Sequence, residues 1–176
     1  MKKYELTTNT KMWFGRKLYQ IKALKDFGNV KAGELGGYIE KEENLSHDGI
    51  AWVFDNACVC DDAKVYDDAY VYGNACVFDN AHVLGNAQIY DTTWVHCDAQ
   101  ISSNADYICF KGFGSENRNT TMFRTRNGDV YVSCGCFTGS LKAFMDKVKE
   151  THGNTKYAKE YLACIEVAKI HFEIDE

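Results

Sequence analysis

Five histidines, eight cysteines and one loop carrying three arginines are the residues of this chain whose types could do chemistry. Histidine changes charge near neutral pH, so His82 and His96 are the first places to look for a general base. Each, however, stands in a column of a short repeat whose equivalent positions hold Tyr, Leu, Gln or Cys, and no serine, cysteine or carboxylate is set beside either by spacing. No catalytic residue is assigned. His47, His152 and His171 have no partner legible in the sequence. Cys58-Val-Cys60 and Cys134-Gly-Cys136 each leave one residue between thiols, where zinc knuckles leave two, and no metal is expected. Cys58, Cys60, Cys76 and Cys97 alternate with other residue types from one repeat unit to the next, which reads as free thiols in a reducing compartment. The stretch GFGSENRNTTMFRTR, residues 112 to 126, reads as a polar loop with ligand character. Ser115, Arg118, Thr120, Thr121, Arg124 and Arg126 offer donors there, and arginine with backbone N–H groups suits an anionic group such as a phosphate.

The element that must carry most of the chain is a six-residue repeat. Small residues recur at Ala51, Ala57, Ala63, Ala69, Ala75, Ala81, Ala87, Thr93, Ala99 and Ala105, and two positions after each of the first nine stands Val or Ile, from Val53 to Ile101. Strand side chains alternate, so Ala and Val of one word point inward together. The pair after the next residue is DN, DD, GN or a close variant, types that accept left-handed backbone at a corner. A chain that turns every six residues in this way winds into a solenoid of parallel strands, eighteen residues to the coil.

Every third word then lies on the same side. The first side carries Trp52, Phe54, Tyr70, Tyr72 and Tyr90, the second Phe78 and Trp94 among cysteines, and the third Lys64, Tyr66, His82 and Leu84. Such a wall of rings would leave on the order of several hundred Å² of apolar surface uncovered, more than monomers usually expose. Either the C-terminal region covers it, ring stacking stiffens it, or Trp52, Phe54, Tyr70, Tyr72, Tyr90, Phe78 and Trp94 meet a second copy or a partner.

The expected organisation is an N-terminal cap with an irregular first coil over 1–50, the repeat over 51–106, and a small α+β region over 107–176. The cap includes a strand in KLYQIKAL and places Ile39, Leu45 and Ala51 six apart. The C-terminal region holds a hairpin turned by Asn127-Gly128 as a two-residue type I′ turn. Two helices follow, the first with Ser140 as N-cap and Gly153 as C-cap, the second along Tyr157 or Ala158, Tyr161, Ile165, Ala168 and Phe172. The chain is 45% hydrophobic and 26% charged, as folded proteins are. Residues 51–106 hold one basic and nine acidic side chains, which disfavours direct nucleic-acid binding by the repeat. No apolar run is long enough for a membrane span or a signal peptide, so a cytoplasmic protein is expected.

The words VYDDAK, VFDNAH and VLGNAQ resemble the hexapeptide repeat of left-handed parallel β-helix proteins. More narrowly, IKALKDFGNVKAGELGGYIEKEENLSHDG, GSENRNTTMFRT and CGCFTGSLKAF are similar to segments of a group of phage and prophage proteins of unassigned function. The resemblance implies left-handed winding, a home in the host bacterial cytoplasm and side-by-side oligomers, a trimer favoured over a dimer. It leaves three functional readings. The first is a non-enzymatic, oligomeric β-helix that needs no cofactor and engages a host protein or a small anionic ligand, with the countering of host defence as its purpose. The second is an acyltransferase using acetyl-coenzyme A, with His82 or His96 as base. The third is a virion structural or assembly component.

Overall fold

The computed structural model describes residues 2–174. Compactness divides the chain between Asn104 and Ala105, and each unit has a core of its own.

In the first unit the six-residue period becomes nine two-residue strands, β4 (Trp52–Val53), β5 (Cys58–Val59), β6 (Lys64–Val65), β7 (Tyr70–Val71), β8 (Cys76–Val77), β9 (His82–Val83), β10 (Gln88–Ile89), β11 (Trp94–Val95) and β12 (Gln100–Ile101). Each pairs in parallel with the strand eighteen residues on, so Val53 stands beside Val71, Val59 beside Val77 and Val65 beside Val83. Three stacks result, β4-β7-β10, β5-β8-β11 and β6-β9-β12, and with the preceding strand they make a β-solenoid of about four turns. Ala51 to Ala99 and Val53 to Ile101 have essentially no exposure at either column, Thr93 included. Two-residue strands cannot hold together alone; burial of these columns from coil to coil does it.

The corners follow the same rule. Asp55, Asp61, Asp67, Asp79, Asp91 and Cys97, with Gly73 and Gly85, all have φ between +50° and +71°. This is the left-handed region that Gly and, less readily, Asp enter. The corner aspartates also tie coils together, for the carboxylates of Asp55, Asp67 and Asp79 accept the backbone N–H of Gly73, Gly85 and Cys97, each eighteen residues ahead, at 3.0 to 3.2 Å.

The cap is more than a strand and a coil. β1 (Tyr4–Trp13) and β2 (Arg16–Ala23) form an antiparallel hairpin, and β2 pairs with β3 (Leu35–Ile39), which continues in parallel into β5. The hairpin turns at Phe14-Gly15, both left-handed at φ +44° and +81°, the type I′ geometry. Ile39 and Leu45 do enter the aliphatic column, opposite Val59 and Val65. The third member is Val53 instead of Ala51, because the first coil holds twenty residues and the extra pair is spent on the bend at 46–50, where Ile50 and Ala51 both donate to the Asp67 carbonyl. At the other end Ala105 is exposed within the 3-10 turn Asn104–Asp106, so the buried alanine column ends at Ala99.

The second unit is a four-stranded antiparallel sheet, β13 (Tyr107–Phe113), β14 (Arg118–Arg124), β15 (Val130–Cys134) and β16 (Phe137–Ser140), with α1 (Leu141–His152) and α2 (Lys156–His171) packed on it. Ser140 and Thr155 cap the helices, accepting from Ala143 and Ala158, and Gly153 ends α1. The core is Met122, Val132, Phe144, Val148, Tyr161, Ile165, Ala168 and Phe172. Two expectations are corrected. Residues 118–124 form a strand and not a loop, since Thr120, Thr121, Met122 and Phe123 are β-formers that find partners on both sides. The turn between β14 and β15 also differs: only Gly128 is left-handed, the Gly128 N–H donates to Thr125, and three residues at the tip replace two. Among the described residues no helix is long and apolar enough to cross a membrane.

Candidate functional site

The aromatic wall divides on inspection. Trp52 is wholly buried, its ring met by Phe27 at 5.3 Å and Tyr4 at 6.0 Å, and so is withdrawn from any outer surface. On the second side Phe78 and Trp94 are met by the chain's own hairpin: Trp13 lies 5.3 Å from Phe78 and 6.3 Å from Trp94, and Phe14 stands 6.1 Å from Trp94. The small thiols of this column leave the room, for Leu18 packs on Cys58, Cys60 and Cys76 beneath Trp13. Arg16 fixes the tip through a 2.6 Å ion pair with Asp61. What stays on the first side is a ring ladder of Phe54, Tyr70, Tyr72 and Tyr90, with Tyr72 and Tyr90 stacked at 6.3 Å and Tyr90 45% exposed. A shallow groove of about 480 Å³ runs along it, bordered by Asn29, Asp55 and Gln88.

Neither solenoid histidine is presented as a base in an open groove. His82 shares a 3.3 Å hydrogen bond with the Tyr66 hydroxyl. His96 is buried against Phe78, and burial holds its pKa below the usual value despite Asp79 nearby.

The residues expected to bind a ligand in the C-terminal unit separate as well. Thr120 and Thr121 are buried in β14, facing thiols of Cys134 and Cys109. Arg124 donates to the Phe172 carbonyl at 2.6 Å and sits near Asp106, so it serves the fold. Arg126 is at the exposed hairpin tip. Ser115 and Arg118 alone are brought together, at the mouth of a cleft of about 230 Å³. Phe137, Phe144, Val148, Cys134 and Tyr161 also line it, with Lys147, Thr151 and His152 from α1 and the carboxylate of Glu116.

Two glycines make this cleft possible. Gly135 has φ +60°, and a β-carbon there would stand 2.3 Å from the Arg118 guanidinium that lies across it. Gly114 has φ +74°, and a β-carbon would meet the Tyr161 hydroxyl at 2.0 Å. The Gly114 N–H donates to Glu160 at 3.0 Å, which pins the turn between β13 and β14 to α2. Burial, with the Cys134 thiol beside it, pushes the Tyr161 phenol far above its ordinary range, so it stays neutral and donates to the Phe113 carbonyl at 3.5 Å. His152 faces the same ring at 5.7 Å. Sequence reasoning missed Lys147, Thr151, His152, Phe137 and Tyr161; the available signal was the spacing Phe144, Lys147, Val148, Thr151, His152, which puts a basic edge beside an apolar one on a single helix.

The arrangement can hold an anion with a small apolar portion, through the cationic groups of Arg118 and Lys147 and the rings beside them. In class the chain is a β-solenoid followed by a small α+β unit with a basic cleft. No protein-family model matches it, and a search of curated proteins finds no significant match.

Proposed function

We propose that the chain is a non-enzymatic binding protein whose C-terminal unit takes a small anionic ligand and whose solenoid self-associates. The observation that carries the reading is one cleft whose lining combines Arg118, His152 and Lys147, the last shared with Glu150 at 2.9 Å, with the apolar Phe137, Phe144 and Tyr161. Arginine and lysine stay charged at neutral pH, and a half-enclosed site strengthens their hold on an anion. The ladder of exposed Tyr90 and half-buried Tyr72, Tyr70 and Phe54 supports the second half, since rings of this kind are enriched where protein surfaces meet. A trimer of left-handed solenoids is the assembly that the repeat's resemblance favours, with a dimer next. Engagement of a host protein by this assembly, with interference in host defence as its purpose, is the setting that the phage resemblance supplies.

The test is a thermal-shift screen of inorganic phosphate, nucleotides and small organic carboxylates against the full chain and the Arg118→Ala, Lys147→Ala double variant. At least one anion is expected to raise the melting temperature of the native chain and to leave the double variant unmoved. No shift with any anion, or equal shifts in both proteins, overturns the reading.

A further inference from the structure

The corner between the second and third sides of the solenoid holds a set of donors unrelated to the cleft. The left-handed corner residue is Asp or Gly at 55, 61, 67, 73, 79, 85 and 91, and then Cys97 adopts φ +56°. A β-carbon in this region is strained against the neighbouring carbonyl oxygen. Cysteine has no capping habit that repays it, and residues that break a local rule concentrate where a site is built. His96 precedes it, its ring stacked on Phe78 at 4.7 Å and all but closed off from solvent. One coil below, the Asp79 carboxylate rises toward the pair. Its Oδ2 accepts the Cys97 N–H at 3.0 Å and lies 3.7 Å from His96 Nδ1, which is 3.2 Å from Cys97 Sγ. One donor atom of each residue lies within 4.8 Å of the other two, and among the described residues no other three such donors converge this closely.

Two of these separations, 3.2 and 3.7 Å, are close to those of a metal shell, and the third pair lies within 4.8 Å. Tetrahedral zinc, with bonds of about 2.0 to 2.3 Å, keeps its ligand atoms roughly 3.3 to 3.6 Å apart. Thiolate sulfur, imidazole nitrogen and a carboxylate oxygen are the mixture that zinc and cobalt accept, whereas magnesium and calcium ask for oxygen alone. We propose that Asp79, His96 and Cys97 bind a borderline divalent cation, zinc first among them. The fourth position faces the open hollow lined by Asp61, Asp62, Asn80 and Asp98 and is filled by water. Phe78 orients the imidazole and the Cys97 N–H orients the carboxylate, so the shell is largely built beforehand. On binding, the thiol proton passes to solvent and the imidazole keeps its proton on Nε2.

The test titrates the chelator-stripped full chain with cobalt and then displaces it with zinc. One equivalent of cobalt is expected to give the thiolate charge-transfer band and the intense visible bands of tetrahedral cobalt, zinc is expected to erase them, and zinc alone is expected to raise the melting temperature. Cys97→Gly restores the corner residue used at 73 and 85, so it should fold as well as the native chain by circular dichroism and lose the charge-transfer band. Asp79→Asn should keep the fold and weaken cobalt binding at least tenfold. Absence of the band in the native chain, or its survival in Cys97→Gly, which would place the metal on another thiol, overturns the assignment.

Discussion

Lys3 is a buried cation in the first unit. It has no exposed surface; its ammonium donates to the carbonyls of Ala51 at 2.8 Å and Asp48 at 3.4 Å and lies 5.1 Å from the centre of the Phe27 ring. Burial, helped by Lys25, pulls its pKa down from 10.5 to about 8. Between those values the unfolded chain binds a proton that the native chain does not, so stability contributed at this site rises with pH across the window, by up to roughly 3 kcal/mol, and is absent below it. The difference in unfolding free energy between the native chain and Lys3→Met should therefore shift in favour of the native chain from pH 8 to pH 10.5. Urea denaturation of both proteins at the two ends of that window measures it, and a constant difference refutes it. Gly114 makes the opposite kind of demand, for space. Gly114→Ala adds a β-carbon at 2.0 Å from the Tyr161 hydroxyl on backbone with φ +74°, and should cost about 1–3 kcal/mol while displacing a ring that lines the cleft. A melting temperature within error of the native value would show that the turn yields freely.

At the scale of the element, the hairpin β1–β2 and the corners carry the argument. Leu18 is fully buried on Cys58, Cys60 and Cys76, so Leu18→Ala should lose about 2–5 kcal/mol and speed the labelling of those thiols by a disulfide reagent. Labelling that stays slow in the variant would mean that the hairpin does not guard them. At a corner, two contributions separate: Asp67→Gly keeps the left-handed conformation at no steric cost and loses the bond to the Gly85 N–H, whereas Asp67→Ala loses both. The alanine variant should be the less stable by about 1 kcal/mol. Elements of this kind were legible wherever one local rule repeated: the strands, the three sides and the corner backbone all follow from a period of six with no insertion. Of the hairpin over the second side only the strand in KLYQIKAL is legible, because Phe14-Gly15 is not one of the usual turn dipeptides and the hairpin's partners lie in coils roughly forty to eighty residues away. The cleft was half legible. Ser115 and Arg118 were named from their types, but Lys147, His152 and Tyr161 reach them only through the packing of two helices on a sheet, which no local spacing encodes. The Asp79, His96 and Cys97 cluster is hidden for a related reason, since Asp79 joins the adjacent His96 and Cys97 only across a coil.

For the whole molecule, the question is whether the ring ladder on the first side is covered by a second copy. Tyr72→Ala with Tyr90→Ala removes two stacked rings, one of them 45% exposed, and leaves the buried columns untouched. If the ladder is the interface, solution mass by light scattering should fall from an oligomer to the single chain over a concentration series. A native chain already monomeric at high concentration refutes self-association through this side.

The eighteen-residue register has a further consequence, for how such a protein can change length. Duplicating residues 72–89 adds one storey of about 4.8 Å and returns every side chain to the wall it came from, so a longer homologue is one recombination away. Adding six residues instead leaves the interior filled but carries every later residue to the next wall, which would scatter the tyrosines and take Asp79 away from His96. Growth by whole storeys conserves surfaces; growth by single words shuffles them.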